Sequence, residues 1–319
     1  MAVHDLADDV RADRATLAEL LSELGATILA LTDPDRDGTL PDGPGDLTIT
    51  VGLGPRVLTV LEPGLPGAEE LPVFAGDEHI APERRGGDML LSLHASDPTV
   101  LPAALAALRA RLGEAAVARW AETCFRGPGE RTVSRNPFGH LDGIVVPHGE
   151  DELDEHVWRR GRLQGATVCV IRRLRLDVTA FAALDTREQE IVIGRHRRDG
   201  TPLSGGAPTD DVDLEARTPD GQYLVPARSH VRAAHPSFTG SGLMLRRSYT
   251  FSGPELDGRP ETGLFFVSFQ RELATFVRTQ QRLDETDDLQ RFVTPTGSAT
   301  FLVLPGFDED RPLGAGLFT

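Results

Sequence analysis

Three side chains whose types often do chemistry stand in segments rich in turn-forming residues. Asp142 lies in the loop Gly139–Gly143, His230 lies in Ser229–Pro236, and Arg246 follows the histidine by sixteen residues. A carboxylate can take up and return a proton, an imidazole nitrogen can bind a metal, and a guanidinium keeps its positive charge. Each also has an ordinary interpretation: Asp142 as a turn former, His230 as a surface or capping histidine, and Arg246 as a solvated strand residue.

The common catalytic signatures do not occur in this sequence. It has no HExxH or CxxC pattern for zinc, no GxxxxGK[ST] loop for phosphates, no GxGxxG turn for dinucleotides and no GxSxG nucleophile turn. A zinc hydrolase, a P-loop enzyme and a Rossmann enzyme therefore have no support.

The charge balance excludes two classes of partner. The chain has 33 Lys and Arg against 49 Asp and Glu, a net charge of −16. Nucleic-acid binding depends on basic residues, and anionic membrane surfaces repel an acidic protein, so we expect neither partner. The N-terminus lacks the pattern of a signal peptide, and Cys124 and Cys169 are far apart. A cytoplasmic location is expected.

Hydrophobic patterning predicts an α+β fold, because helices and strands do not alternate strictly. The length of 319 residues suggests two domains. The predicted helices span 7–24, 98–113, a segment from 185 to 194 and 271–283, and the predicted strands span 26–32, 47–53, 87–94, 166–176, 263–269 and 299–304.

A weak internal repeat suggests that the two halves are related. Residues 87–93 and 263–269 are apolar strands that begin at glycine, and each is followed by a predicted helix. The alternative is a chance similarity between two buried strands. If the repeat is real, the chain is a duplication of one α+β unit.

Four segments in a fixed order carry a more specific signal. They are GxxDG at 139–143, IGRxxxDGxPL at 193–203, SHVRxAxP at 229–236 and MLRRSY at 244–249. The set resembles the dye-decolourising peroxidase family. Further segments that fit lie at 50–55, 86–98, 263–271 and 295–306, so the resemblance covers nearly the whole chain.

The resemblance implies tandem ferredoxin-like domains with antiparallel sheets and peripheral helices. It predicts an N-terminal domain at 1–150, which carries the GxxDG loop, and a C-terminal haem-binding domain at 151–319. The cofactor would be haem b (iron protoporphyrin IX), held in a pocket built mainly by the C-terminal half.

The family motifs also imply roles for individual residues. His230 matches the proximal ligand of the haem iron, Asp142 the distal acid–base residue, and Arg246 the distal arginine beside the cofactor. His235 is left out of the iron site, because a single proximal imidazole keeps the sixth position open. Arg195 could pair with a haem propionate; the alternative is a solvated cluster at a helix end.

The implied activity is a haem-dependent peroxidase that reduces hydrogen peroxide to water and oxidises dyes, phenols or similar small-molecule donors by one-electron steps. A haem-binding or haem-handling protein of related fold with little turnover is the alternative, and steady-state oxidation of a small dye separates the two. A ligand-binding module without haem would require all four ordered motifs to be coincidence.

Several points stay open at the level of sequence. Some subfamilies have an asparagine where this chain has Ser248, which leaves the subfamily undecided. The tail at 312–318 resembles an encapsulin-targeting peptide and, equally, an ordinary C-terminus of the family. A homo-oligomer is compatible with the sequence. Four aromatic residues are each either a packing residue or an electron relay: Trp120, Trp158, Tyr223 and Tyr249.

Overall fold

A nine-stranded sheet forms the centre of the computed structural model, which describes residues 1–35, 38–127, 133–256 and 259–318. A two-stranded ribbon, β5–β6, lies apart from it. The strands are β1 Ala2–Leu6, β2 Thr48–Leu53, β3 Met89–His94, β4 Ala116–Ala121, β5 Ser134–Arg135, β6 Leu141–Asp142, β7 Thr167–Leu176, β8 Leu245–Arg246, β9 Tyr249–Leu256, β10 Arg259–Gln270 and β11 Val293–Val303.

Helices cover the sheet and connect its strands. They are α1 Asp8–Ala12, α2 Arg14–Thr32, α3 Pro55–Leu61, α4 Val100–Leu112, α5 Gly149–His156, α6 Val178–Ala182, α7 Thr186–Ile193, α8 His230–Ala233, α9 Pro236–Thr239 and α10 Leu273–Thr286. The predicted helices at 98–113, 185–194 and 271–283 are confirmed, within a few residues at each end, by α4, α7 and α10.

The two halves of the sheet have the same strand order. The order is β4-β1-β3-β2 in the first half and β11-β7-β10-β8 in the second, and β9 also pairs with β10. Both halves therefore place their first strand between the fourth and the third. All pairs between these strands in the described part of the chain are antiparallel. The predicted α+β fold with ferredoxin-like halves is confirmed, and the shared order agrees with a duplication.

The halves join where β2 pairs with β11. Leu302 lies opposite Leu53, and Val303 lies opposite Gly52. A Cβ at position 52 would lie 2.9 Å from the Cβ of Phe301, so glycine lets the strands fit at this joint. The domain boundary at residue 150 stays a prediction.

The central strand of the second half, β7, carries arginines into the interior. Arg172 and Arg173 are buried, and a buried charge is costly unless it is paired. Arg172 Nη2 lies 2.7 Å from Asp77, and Arg173 Nη2 lies 2.7 Å from Glu261. These ion pairs balance the charges of the two arginines, and Arg172 also lines the cavity described below.

Helix α2 corrects one sequence prediction, since residues 26–32 are helical and not a strand. Apolar residues continue at helical spacing through Leu24, Ile28 and Leu31, which are buried in the core of the first half. Gly25 does not end the helix. Its missing side chain admits Leu313, whose Cβ would lie 2.9 Å from a Cβ at position 25.

By length and composition, α2 is also apolar enough to span a membrane. In the structure, Leu17, Leu21 and Leu24 are fully buried, and all three pack in the hydrophobic core beneath the sheet. This is the environment of a core helix, and core helices can meet the same criterion of length and apolar composition as a membrane span.

The C-terminal tail packs into the first half of the protein. Leu313 and Leu317 are buried in the same core as α2, and Arg14 Nη2 donates to the Leu317 carbonyl over 3.2 Å. The tail is therefore part of the core of the first half, and its resemblance to an encapsulin-targeting peptide stays a prediction.

His4 makes the stability of the fold sensitive to acid. Burial, with a smaller contribution from Arg109, lowers the pKa of this β1 side chain from 6.5 to about 4. As the pH falls from 6.5 towards 4, His4 is protonated in the unfolded chain but stays neutral in the folded protein. Stability from this residue is present above pH 6.5 and is lost over that range.

Replacing His4 with phenylalanine is expected to reduce the loss of unfolding free energy between pH 7 and pH 5 by about 1–2 kcal/mol. Urea unfolding at the two pH values measures the effect, with His148→Phe, a substitution at an exposed position, as the control. An unchanged pH dependence in His4→Phe would show that His4 titrates normally in the folded protein.

Candidate active site

A cavity of 390 Å³ opens beside the second half of the sheet. Sites for small molecules and cofactors usually enclose about 300–1,000 Å³. The walls are largely apolar, with Ile193, Met244, Leu264, Phe266 and Phe276 among the lining residues. Most lining residues belong to the second half of the chain, as predicted. Asp142, His230 and Arg246, which are far apart in the sequence, all line this one cavity.

A tight turn presents Asp142 to the cavity. Gly139 and Gly143 have φ of +82° and +85°, a backbone region that favours glycine. The short ribbon β5–β6 holds the loop, with Asp142 opposite Ser134. The Asp142 Oδ1 atom accepts the Gly143 N–H at 2.6 Å. The residue therefore both belongs to a turn and exposes a carboxylate.

Arg246 reaches the same place from β8, which pairs with β10. Its Nη1 donates to the Val145 carbonyl over 3.0 Å, and its Nη2 lies 3.7 Å from Asp142 Oδ1. Both side chains are half-buried. The Val145 contact ties the guanidinium to the Asp142 loop, so the cation and the carboxylate keep a fixed relation.

His230 begins α8, and one side of its ring is held by a buried carboxylate. The Nδ1 atom lies 2.7 Å from Asp287 Oδ2, and the Asp287 side chain is fully buried. Asp287 also accepts the backbone N–H of Leu289 at 2.9 Å and the amide of Gln290 at 3.3 Å. A carboxylate at Nδ1 fixes the proton there, so the lone pair of the neutral ring lies on Nε2.

The electrostatics of His230 reflect its neighbours. Burial is the largest influence and disfavours the charged ring, but attraction and the hydrogen bond to Asp287 outweigh it and raise the pKa of His230. Arg246 lowers the pKa and Asp142 raises it, both more weakly. The ring therefore responds to both residues, which lie on the walls of the same cavity.

The glycine of the IGR motif brings α7 against α8. Gly194 ends α7 in a left-handed conformation, with φ of +94°. A Cβ there would clash with Val231 and lie 3.0 Å from Ser229 Oγ. The residues on both sides of His230 thus pack on this glycine, which helps to place the imidazole.

Arg195 is buried and lines the cavity. Its Nη1 donates to the carbonyls of Gly200 and Pro208 over 2.9 and 3.0 Å, and its Nη2 donates to that of Asp210 over 2.9 Å. The alternative of a solvated helix-end cluster is therefore wrong for Arg195. Its pairing with a propionate stays a prediction.

His235 lines the cavity with both ring nitrogens already engaged. Nδ1 accepts the Ser237 backbone N–H at 3.1 Å, and Nε2 lies 2.9 Å from Asp211 Oδ2. By contrast, His230 Nε2 has no hydrogen-bond partner among the residues that the structure describes. This difference agrees with leaving His235 out of the iron site.

Sequence analysis missed Asp287 and Arg172. Asp287 follows His230 by 57 residues. The residues around Asp287 predict only that it caps the short helical turn that follows α10. Arg172 appeared only as a strand residue, yet it lines the cavity, and its Nε has no hydrogen-bond partner in the described part of the chain. No local signal in the sequence marks either residue.

These residues fit a haem. The cavity offers the imidazole of His230, whose Nε2 has no hydrogen-bond partner among the described residues, together with apolar walls for a flat ring and buried arginines for the carboxylates of such a cofactor. Aspartate and arginine side chains lie on the same cavity, as groups for handling protons and charge.

Comparison with known proteins agrees with this geometry. Residues 1–126 match the family model described as Dyp-type peroxidase, N-terminal, and residues 133–308 match the model described as Dyp-type peroxidase, C-terminal. The chain belongs to the Dyp-type peroxidase family. The predicted class of enzyme, a haem peroxidase, is thereby confirmed.

Individual relatives support the same assignment. A dye-decolorizing peroxidase of Thermobifida fusca is 35% identical over 297 residues, which cover 86% of this chain and 68% of the relative. The structure of an oxyferrous complex of DtpA from Streptomyces lividans matches with a TM-score of 0.90 and 33% identity, covering 100% and 92% of the two chains. A deferrochelatase of Escherichia coli is 28% identical over 296 residues, which cover 86% and 69%.

Removing the carboxylate of Asp287 by substitution with alanine is expected to weaken haem binding about 10–100-fold, because the ring of His230 loses its orientation and donor strength. Titration of the cofactor-free protein with haemin, followed by the Soret absorbance, measures the affinity. Asp288→Ala is the matched control, since Asp288 is adjacent but pairs with Arg228 at 2.8 Å. Equal affinities in the two variants would contradict the role of Asp287.

Proposed function

We propose that this chain uses a b-type haem to reduce hydrogen peroxide to water and to oxidise dyes, phenols or similar small donors in one-electron steps. His230 would hold the haem iron, Asp142 transfers protons, and Arg246 stabilises negative charge. The observation that carries this proposal is the meeting of these three side chains on one cavity. The haem, when bound, supplies the redox chemistry, and the protein supplies ligation, proton transfer and electrostatics.

His230 would hold the haem through Nε2. Its Nδ1–H donates to Asp287, a contact that selects the tautomer and increases the electron donation of the ring. Two further hydrogen bonds, from the backbone N–H of Leu289 and the side-chain amide of Gln290, hold the buried Asp287 carboxylate in position. The imidazole is thus oriented before the cofactor binds.

Asp142 moves the proton of peroxide. Oδ1 accepts from Gly143 and faces Arg246, so Oδ2 is the oxygen that takes a proton from one peroxide oxygen and returns it to the other. Water can leave as the O–O bond breaks once the departing oxygen is protonated. The glycines on either side of Asp142 hold the carboxylate in place for both transfers.

Arg246 stabilises negative charge on the peroxide oxygens. A guanidinium stays protonated at any working pH, and a fixed cation stabilises charge that grows during the reaction without reorganising. Its Nη1 is tied to Val145, which leaves Nη2 on the side of Asp142. The two residues therefore act on the same bound peroxide.

A haem-handling protein with little turnover is the less favoured alternative. Cofactor binding alone requires only His230 and the apolar walls. It does not explain why Asp142 and Arg246 lie next to each other at the cavity. Arg246 reaches this place through a hydrogen bond to Val145, which is 101 residues earlier in the chain. The peroxidase relative at 35% identity supports the same choice.

A cytoplasmic location is also part of the proposal. Both Cys124 and Cys169 are free thiols in the structure, and a reducing compartment keeps such thiols unpaired. The pairing of Arg195 with a propionate is proposed on its burial at the wall of the cavity.

Two substitutions test the assigned roles. Arg246→Ala is expected to slow the reaction of the haem-loaded protein with peroxide by about 10²–10³-fold, through loss of charge stabilisation. Asp142→Asn is expected to slow it by about 10²–10⁴-fold, because the amide cannot transfer the proton. Stopped-flow absorbance after mixing with peroxide measures both rates.

Asp211→Asn is the matched control, because this carboxylate lines the same cavity but pairs with His235. We expect its rate to stay close to that of the wild type. Wild-type rates in both Arg246→Ala and Asp142→Asn, with normal Soret bands, would contradict the proposed mechanism.

A further inference from the structure

One wall of the cavity comes from the first half of the protein. Ala75, Gly76 and His79 line the cavity, and all three lie in the connection between α3 and β3. We call residues 74–80 the strap, because this segment crosses from the first half onto the second. The peroxidase roles proposed above do not involve it.

The strap begins at an anchor in the second half. Phe74 is buried in a hydrophobic cluster with Val170 of β7 and Phe276 of α10. The rings of Phe74 and Phe276 lie 5.8 Å apart at an angle of 85°, an arrangement that aromatic pairs favour. The guanidinium carbon of Arg172 lies 5.3 Å from the centroid of the Phe74 ring. This end of the strap is therefore packed against the wall of the cavity.

A buried ion pair holds the middle of the strap. Asp77 Oδ1 lies 2.7 Å from Arg172 Nη2, and Asp77 Oδ2 accepts the backbone N–H of Phe74 at 3.0 Å. One carboxylate thus fixes the turn of the strap and joins it to β7. Because both charges are buried, their separation is costly. The pair therefore opposes movement of the strap away from the sheet.

A contact that is more open to solvent fastens the strap to α10. Asp284 Oδ2 accepts the backbone N–H of Ala75 at 3.1 Å, and Gln280 donates its side-chain amide to Asp284 Oδ1 at 2.7 Å. Ala75 is exposed and Asp284 is half-buried, so water can replace this hydrogen bond more easily than it can replace the buried ion pair. All three residues line the cavity, so the contact lies at its edge.

A glycine lets the strap lie close to β11. Gly76 has a φ of +81°, and a Cβ there would lie 3.0 Å from Cδ of Pro295, which also lines the cavity. A side chain at position 76 would therefore push the strap away from β11. Gly64, earlier in the same connection, has a φ of +90°, but a Cβ there would have no atom of the described residues within 4 Å. The two glycines share a backbone conformation and differ in their surroundings.

We propose that the strap closes the cavity over the haem and sets how fast the protein releases it, with the hydrogen bond between Ala75 and Asp284 as the closure. The inference rests on the haem binding of the proposed function. Release requires the strap to move, which breaks the exposed hydrogen bond at α10 and separates the buried pair of Arg172 and Asp77. The first half thus contributes to the retention of the cofactor, although most of the cavity belongs to the second half.

The test measures haem release from the haem-loaded protein. Excess apomyoglobin takes up the released haem, and the change in Soret absorbance gives the dissociation rate. Asp284→Ala removes the acceptor of the Ala75 N–H, and we expect it to raise this rate about 10-fold, because a hydrogen bond to a charged group is lost. Asp284→Asn keeps an oxygen acceptor and is expected to give a rate between those of Asp284→Ala and the wild type. Glu285→Ala is the control, because this neighbouring carboxylate pairs with Arg282 within α10.

Gly76→Ala tests the strap without a change in α10. It is expected to raise the dissociation rate by a similar factor, because the new methyl group meets Pro295. Gly64→Ala is the matched control and is expected to leave the rate unchanged. Both substitutions place a Cβ on a left-handed residue, so a general effect of backbone strain would appear in both. Circular dichroism at the assay temperature verifies that each variant is folded.

The outcomes separate the strap from the proposed function. A wild-type protein that binds no haem overturns both. If the wild type binds haem, an unchanged release rate in either Asp284→Ala or Gly76→Ala overturns the strap alone. Equal acceleration in Glu285→Ala or Gly64→Ala also overturns it, since neither control changes a contact of the strap.

Discussion

The hydrogen bond between Asp287 and His230 is the interaction on which the site depends. The carboxylate of Asp287 is fully buried, so it must be paired, and it accepts the hydrogen bond from the Nδ1–H of His230 at 2.7 Å. The contact joins the start of α8 to the turn after α10, which lies 57 residues further along the chain. Because it fixes one nitrogen, it leaves the other directed at the cavity, where the iron of a haem would need it.

The fold explains why the remaining groups meet there. The two ferredoxin-like halves form one sheet because β2 pairs with β11, and strands of the second half form one wall of the cavity. Strand β8 supplies Arg246, and Val145 ties that guanidinium to the loop of Asp142. In β9, the hydroxyl of Tyr249 lies 3.0 Å from Nδ1 of His94 in the first half, which is a further contact between the two halves.

The sequence predicted the residues that belong to ordered motifs, and it missed those that depend on tertiary contact. Asp142, His230 and Arg246 could be found because their segments appear in a fixed order. Asp287 could not, because a buried partner 57 residues away looks like an ordinary cap. The strand expected at 26–32 was wrong for a similar reason: Gly25 suggested a break, and only the packing of Leu313 shows why a glycine sits inside α2.

The central claim is that His230 Nε2 holds the iron of one haem on which peroxide acts. Titration of the cofactor-free protein with haemin, with absorption spectra before and after peroxide, tests it most directly. The account predicts a Soret band that saturates at one haem per chain and shifts with peroxide, and loss of that band in His230→Gln but not in His235→Gln. The absence of a Soret band in the wild type, or the same band and shift in His230→Gln, would contradict the account.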